Sequence, residues 1–222
     1  SFLLIPAYIG LNTTASATRH FPASEWYGSI WDMIKQMFIL TSPIKSQTFD
    51  GGVNLYCGTF AILLIGVYLL NTKIRWYDKV RNVIVLTFLL ISFNNTLLNY
   101  IWHGFHDQYG IPNRFSFLFI FVLLTMGYEA VYNTDRSQLP GVVAGIAAAF
   151  GFLVAADKNV QFENNVLTIT WVLFAVYGAV LIAYSLAKGS GRLVLSIILM
   201  IVCMTETVFG AAKGYESNGV VN

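Results

Sequence analysis

Asn99-Tyr100-Ile101-Trp102-His103-Gly104-Phe105-His106-Asp107-Gln108-Tyr109-Gly110-Ile111-Pro112-Asn113-Arg114-Phe115-Ser116-Phe117 sets two histidines, an aspartate and an arginine among ring-bearing neighbours, between two long apolar stretches. Ionisable groups beside hydrocarbon carry a large desolvation cost, so such a cluster marks a candidate site. His103 and His106 would share one side of a helix end, where either imidazole can act as acid, base or donor to a phosphate. Arg114 carries a permanently charged, bidentate guanidinium suited to holding a phosphate at a membrane surface. Plainer roles stand beside these: Arg114 as an interfacial anchor paired with Asp107, and Trp102 and Tyr109 as members of an aromatic belt. A His-His-Asp set for a divalent metal is a third reading. Its three ligands have short, irregular spacing, and a guanidinium beside a metal centre is electrostatically unfavourable.

The elements that must position this loop follow from composition. The 222 residues are 56% hydrophobic and only 11% charged, with a mean hydropathy of +0.64, whereas soluble domains carry about 25% charged residues. The chain is therefore an integral membrane protein. A net charge of +2 spread over short loops gives no basic face for nucleic acid. Cys57 and Cys203 fall inside apolar spans, so neither a disulfide framework nor a cysteine metal site follows. Counting apolar runs against the need for about 20 residues per crossing predicts roughly six helices: Asn54–Leu70, Val80–Tyr100, Phe115–Tyr132, Leu139–Ala156, Val166–Ala187 and Leu193–Ala212. Runs such as Ala61-Ile62-Leu63-Leu64-Ile65 do not alternate, which excludes a β-barrel. The expected fold class is all-α, a polytopic transmembrane bundle.

Positive charge orients it. Lys73, Arg75, Lys79, Arg81, Arg136, Lys188 and Arg192 crowd the short alternate hinges, which places those hinges in the cytoplasm. The 102–114 loop, the 157–165 loop and both chain ends then face outward. Between Ser24 and Leu40, apolar residues at Tyr27, Ile30, Trp31, Ile34, Met37 and Phe38 recur at helical spacing behind a potential Ser24 cap, predicting a helix in the outer interface. It reads either as a structural interfacial helix or as a cover for a lipid-substrate groove. Three segments result: 1–53 as the tail of a preceding helix plus this outer loop, 54–212 as the bundle, and 213–222 as a tail leading outward. The apolar start at Ser1 and the polar end suggest the central piece of a longer protein.

Within the spans, Glu129 can reach the inner interface or Arg136. Glu206, in Met204-Thr205-Glu206-Thr207, lies on the outer half of the last span and must be protonated, paired or facing a wet cavity. Asn94, Asn95 and Asn99 read as interhelical hydrogen-bonding groups, and Gly141, Gly145 and Ala149 have the small-xxx-small spacing of close helix packing. The Asn12-Thr13-Thr14 and Asn94-Asn95-Thr96 matches to a glycosylation triplet carry little weight, the second lying within a span. No internal repeat is visible.

At these residues the chain resembles a known family. Trp102-His103-Gly104-Phe105 followed by Pro112-Asn113-Arg114-Phe115-Ser116-Phe117-Leu118-Phe119 is similar to the hallmark loop of the YfhO family of bacterial membrane proteins, a WHGF segment and then P-x-R-[FY]-S-F. Leu55-Tyr56-Cys57-Gly58 resembles the family's Y-C-G start of a span, and Glu206 its glutamate at the end of a late span. The resemblance covers most of the chain, and family members are considerably longer.

The resemblance implies a GT-C-type glycosyltransferase that moves a sugar from a polyprenyl-phosphate carrier to a cell-wall polymer, such as a teichoic acid, on the outer face. Its acidic base or metal contact would lie in a first outer loop upstream of Ser1, so the piece alone is expected to be inactive. On this reading Arg114 holds the carrier phosphate and His103 and His106 act on phosphate or sugar. Trp102 and Tyr109 stack on sugar or tail, while Asp107 and Asn99 line the site and Glu206 orients the loop from behind. A transporter or lipid flippase is the alternative, predicting ionisable residues along a path through the bilayer; a scaffold would explain the helices but not the loop.

Overall fold

The computed structural model describes residues 4–11, 21–44, 52–105, 113–162 and 165–217. Its order is α1 (Leu4–Leu11), α2 (Ile30–Lys35), α3 (Thr59–Leu70), α4 (Trp76–Asn94), α5 (Thr96–Trp102), α6 (Ser116–Tyr132), a 3-10 turn at Arg136–Gln138, α7 (Leu139–Asn159), α8 (Val166–Leu186) and α9 (Ser190–Ser217). The all-α expectation holds, and among the described residues there is no strand beyond an isolated bridge between Trp26 and Asn95. Residues 136–159, 166–186 and 190–212 are long and apolar enough to cross a membrane, and α3 and α6 are shorter apolar helices. Lipid offers backbone groups no hydrogen-bond partner, which is why these segments are helical.

α3 sits at the centre. Its Gly66 faces Gly145 of α7 so closely that a Cβ on Gly145 would come within 2.6 Å of the Val67 backbone. The small-residue stripe thus lets two backbones meet without side chains between them. Gly127 of α6 packs against Leu64 of α3. The core between these helices is Leu63, Val67, Tyr68, Leu123, Met126, Leu153, Phe174 and Leu181, all nearly inaccessible.

The span expected over Asn54–Leu70 is helical only from Thr59. Residues 52–58 form no regular element, with Val53 and Leu55 fully buried, and Gly58 at φ 102° makes a turn that favours glycine. α3 therefore starts inside the bundle. From the Leu64–Gly127 contact back to the two helix starts, α6 reaches about 9 Å further out than α3 at 1.5 Å per residue. Irregular backbone at such depth is tolerated because protein surrounds it.

The second expected span is also broken. α4 stops at Asn94, Asn95 takes φ −105°, ψ 125°, and α5 resumes at Thr96. The interfacial helix differs too: only Ile30–Lys35 is helical, and its cap is Ser29, whose hydroxyl accepts from Trp31 N. Ser24 instead accepts from Asn95 Nδ2 at 2.9 Å, and residues 21–28 form no helix. Beyond α2, Phe38 is buried against Phe152 and Phe162.

The basic hinges gather at one end of the bundle. Thr72 donates through both N–H and hydroxyl to Gln138 Oε1, Lys73 pairs with Asp135, and Arg192 donates to the Thr134 carbonyl. Lys79 Nζ donates to the Leu69 and Asn71 carbonyls at the end of α3, where a cation complements the helix dipole.

Candidate functional site

At the opposite end, asparagine amides tie loops to helix ends. Asn94 accepts from Gly28 N at 3.1 Å and donates to Gly28 O at 2.8 Å. Asn95 caps α5 by accepting from Leu97 N and Leu98 N, both at 3.1 Å. Tyr27 N donates to Asn94 O and Thr96 N to Glu25 O. The break in the helix thus exposes backbone groups that the 23–28 segment satisfies. The asparagines expected to join helices to each other instead join helix ends to loops.

Asn99 and Asn113 lock the motif loop. Asn99 Nδ2 donates to Asn113 Oδ1 at 2.5 Å, and Asn113 Nδ2 donates to the Gly52 and Phe93 carbonyls. Asn113 is fully buried at φ 50°, a left-handed conformation that asparagine accepts more readily than most residues. The turn that follows enters α6, with Phe115 buried and Arg114 exposed between the two buried residues.

Across from it, Trp102 stacks on Phe115 with centroids 4.7 Å apart and planes at 12°, and the His103 ring meets Phe115 edge-on. His103 Nδ1 lies 2.8 Å from the Asn99 carbonyl oxygen. A carbonyl only accepts, so Nδ1 carries the proton and Nε2 keeps the lone pair in the neutral ring. Trp102 and His103 therefore meet on one ring, Phe115, which follows Arg114 in the chain, and Asn99 joins them through the His103 ring and Asn113. His106, Asp107 and Tyr109 lie outside the described residues.

Glu206 stands apart from this cluster, deeper in the bundle and buried to 4% exposure. Its Oε1 accepts from Tyr56 Oη at 2.7 Å and from Thr59 N at 2.6 Å, and its Oε2 accepts from Tyr177 Oη at 2.5 Å. A carboxylate accepting an N–H of the first turn caps α3 at its buried start and meets the positive end of the helix dipole. Glu206 is paired, one of the outcomes its position allowed, and it holds the Tyr56-Cys57-Gly58 turn to α8 and α9. It also lines a cleft of about 390 Å³ between α3, α6 and α9, walled by Phe60, Leu64, Leu124 and Tyr128.

Two residues escaped sequence reasoning. Asp32 is exposed and lines a cleft of about 230 Å³ at the loop end with Tyr27, Gly52 and Asn94. The signal that finds it is Ser29-x-x-Asp32, a capping pattern that restarts the helix there. Tyr177 has no local signal, being an aromatic residue in an apolar run, 29 residues from its partner Glu206. Among the described residues, no three His, Cys, Asp or Glu side chains converge as a metal set, so a divalent ion would draw on donors beyond them.

These apolar helices, with polar networks at both ends, define a polytopic α-helical membrane protein. Residues 1–217 match the family described as bacterial membrane protein YfhO, nearly all of the 222-residue chain. The chain belongs to that family. No curated protein matches it, and no solved structure does.

Proposed function

We propose that this chain forms part of a membrane glycosyltransferase that takes a sugar from a polyprenyl-phosphate carrier and adds it to a cell-wall polymer, such as a teichoic acid, at the outer face of the bacterial cell membrane. The observation that carries the reading is Arg114, exposed on a turn whose neighbours Asn113 and Phe115 are buried, with the adjoining Phe115 ring packed against Trp102 and His103. The crowding of Lys and Arg at the other end supports an outer position for the loop end.

A polyprenyl-phosphate sugar presents an anion at headgroup level above a hydrocarbon tail. In transfer, an acceptor hydroxyl bonds to the anomeric carbon, the bond from that carbon to the carrier phosphate oxygen breaks, and the hydroxyl proton passes to a base. Negative charge grows on the departing phosphate, where a fixed guanidinium stabilises it most. Arg114 serves that phosphate. His103 and His106 serve phosphate or sugar, Trp102 and Tyr109 stack on sugar or tail, Asp107 and Asn99 line and position the loop, and Glu206 acts from behind through the Tyr56-Cys57-Gly58 turn.

The lipid-transport alternative draws on one observation, the α3/α6/α9 cleft that reaches the buried Glu206. The test is transfer of labelled sugar from a polyprenyl-phosphate donor to cell-wall polymer in membranes holding the full-length protein or its Arg114→Ala variant. Transfer by the parent and none by the inserted variant is expected. Transfer undiminished in the variant removes Arg114 from the site, and no transfer from any polyprenyl donor moves lipid transport to first place.

A further inference from the structure

The basic end of the bundle holds a cavity that glycosyl transfer does not use. It has a volume of about 360 Å³ and lies between the hinge preceding α7 and the hinge joining α8 to α9, lined by Arg136, Ser137, Leu186, Lys188 and Arg192. We propose that it is a binding site for the phosphodiester headgroup of an anionic phospholipid, with the acyl chains running along α8 and α9.

Arg192 is prepared for an anion. Its Nη2 donates to the Thr134 carbonyl, and its guanidinium carbon lies 4.5 Å from the centroid of the Tyr184 ring, so the planar group is fixed before any ligand arrives. Its Nε–H is buried and has no acceptor. A buried donor left unmatched is costly, so Arg192, which lines the cavity, gains from a small rearrangement that brings an anion's oxygen to that N–H. Arg136 and Lys188 are exposed on the rim, adding two mobile positive charges.

The one acidic residue lining the cavity does not cancel them. Asp135 is paired with Lys73 and accepts from the Ser137 N–H and hydroxyl. The anion would thus meet three cations and a carboxylate already engaged.

A lipid is favoured over free phosphate by what adjoins the cavity. Leu186 in its wall is exposed, and Leu193, Val194 and Ile197 continue an exposed apolar face along α9. Basic pockets between helices at the cytoplasmic interface bind anionic headgroups in this way. The inference is independent of the glycosyl-transfer reading.

The test is native mass spectrometry of the purified full chain in detergent with dioleoyl phosphatidylglycerol or dioleoyl phosphatidylcholine. At about 1 kcal/mol per cation near the headgroup, preferential retention of phosphatidylglycerol by about tenfold or more is expected. The Arg192→Gln variant and the Arg136→Gln/Lys188→Gln double variant should both bring retention down towards that of phosphatidylcholine. The double variant changes only exposed side chains, so its fold is not at stake. Equal retention of the two lipids by the parent, or an undiminished preference in the double variant, overturns the proposal. Displacement of phosphatidylglycerol by millimolar inorganic phosphate would reassign the cavity to free phosphate and overturn the lipid assignment.

Discussion

The Asn99 amide donates to the Asn113 side-chain oxygen at 2.5 Å, joining the end of α5 to the turn that opens α6. Both residues are buried, at 1% and 0% exposure. The pair therefore closes the motif loop from within, where water cannot compete for either amide.

Its energetic weight is measurable by a double-mutant cycle. Asn113→Ala strands the Gly52 and Phe93 carbonyls and puts a less tolerant residue at φ 50°. A loss of about 2 to 4 kcal/mol follows from unpaired buried groups plus the left-handed backbone. Asn99→Ala should cost less, and the double variant should fall short of the sum by about 1 kcal/mol. Equilibrium unfolding in mixed micelles gives all three values; strict additivity would show that the two amides are not coupled.

Glu206 gives a second, larger effect. Glu206→Ala leaves two tyrosine hydroxyls and the Thr59 N–H without their acceptor, a loss of about 3 kcal/mol or more for a buried network. Glu206→Gln keeps one acceptor oxygen for Tyr56 and Thr59 and offers Tyr177 an N–H donor, so it should be the milder change. Thermal melts of the two variants in one detergent decide the matter, and equal melting temperatures for alanine and glutamine would remove the capping role.

Packing of α3 on α7 predicts opposite outcomes for two alanines on the same helix. A Cβ at Gly145 meets the Val67 backbone at 2.6 Å, while one at Gly151 meets nothing within 4 Å. Gly145→Ala should destabilise by about 1 to 3 kcal/mol through overpacking. Gly151→Ala should stabilise by up to about 1 kcal/mol through helix propensity. The same unfolding assay reads both, and a neutral Gly145→Ala would mean the two helices can separate without cost.

Apolar run length made most helix positions legible. The Phe115–Tyr132, Leu139–Ala156 and Val166–Ala187 spans match α6, α7 and α8 closely. It failed at 54–58 and at Asn95 because hydropathy reports depth, not backbone conformation, and a buried irregular segment reads like a helix. The Gly141-Gly145-Ala149 stripe was readable as a contact, but its partner α3 was not. In the candidate site, Trp102, His103 and Arg114 could be grouped because they are close in sequence. The Tyr56–Glu206 bond spans 150 residues, and Asp32 was hidden by a helix expected to start at Ser24. Nothing local announces such pairings.

At the basic end, the Lys73 ammonium and the Ser137 hydroxyl hold the Asp135 carboxyl down from its ordinary value of 3.8 to about 2. A depressed carboxylate contributes stability that is present above pH 3.8 and lost as pH falls towards 2. Lys73→Gln should bring the Asp135 value back towards 3.8, so the variant shows a shallower decline of stability across that window. The carboxyl carbon resonance of Asp135, followed by NMR against pH, checks the shift directly. An unchanged titration in the variant would assign the depression to Ser137 alone.

Arg114 and Asn113 are adjacent, yet the proposed role of one and the observed role of the other separate cleanly. Arg114 is exposed and Asn113 is buried with three amide hydrogen bonds. Arg114→Ala should cost less stability than Asn113→Ala, because Arg114 is exposed, while removing transfer in the full-length protein. Arg114→Lys keeps the charge but loses the bidentate geometry, so partial activity is expected from it. Asn113→Ala should lose stability and transfer together, because it moves the turn that carries the guanidinium. Activity and melting temperature measured on the three variants distinguish a phosphate-binding arginine from a structural one. A drop in stability for Arg114→Ala equal to that of Asn113→Ala would make the arginine part of the scaffold, and the anion would then need another cation at this end of the bundle.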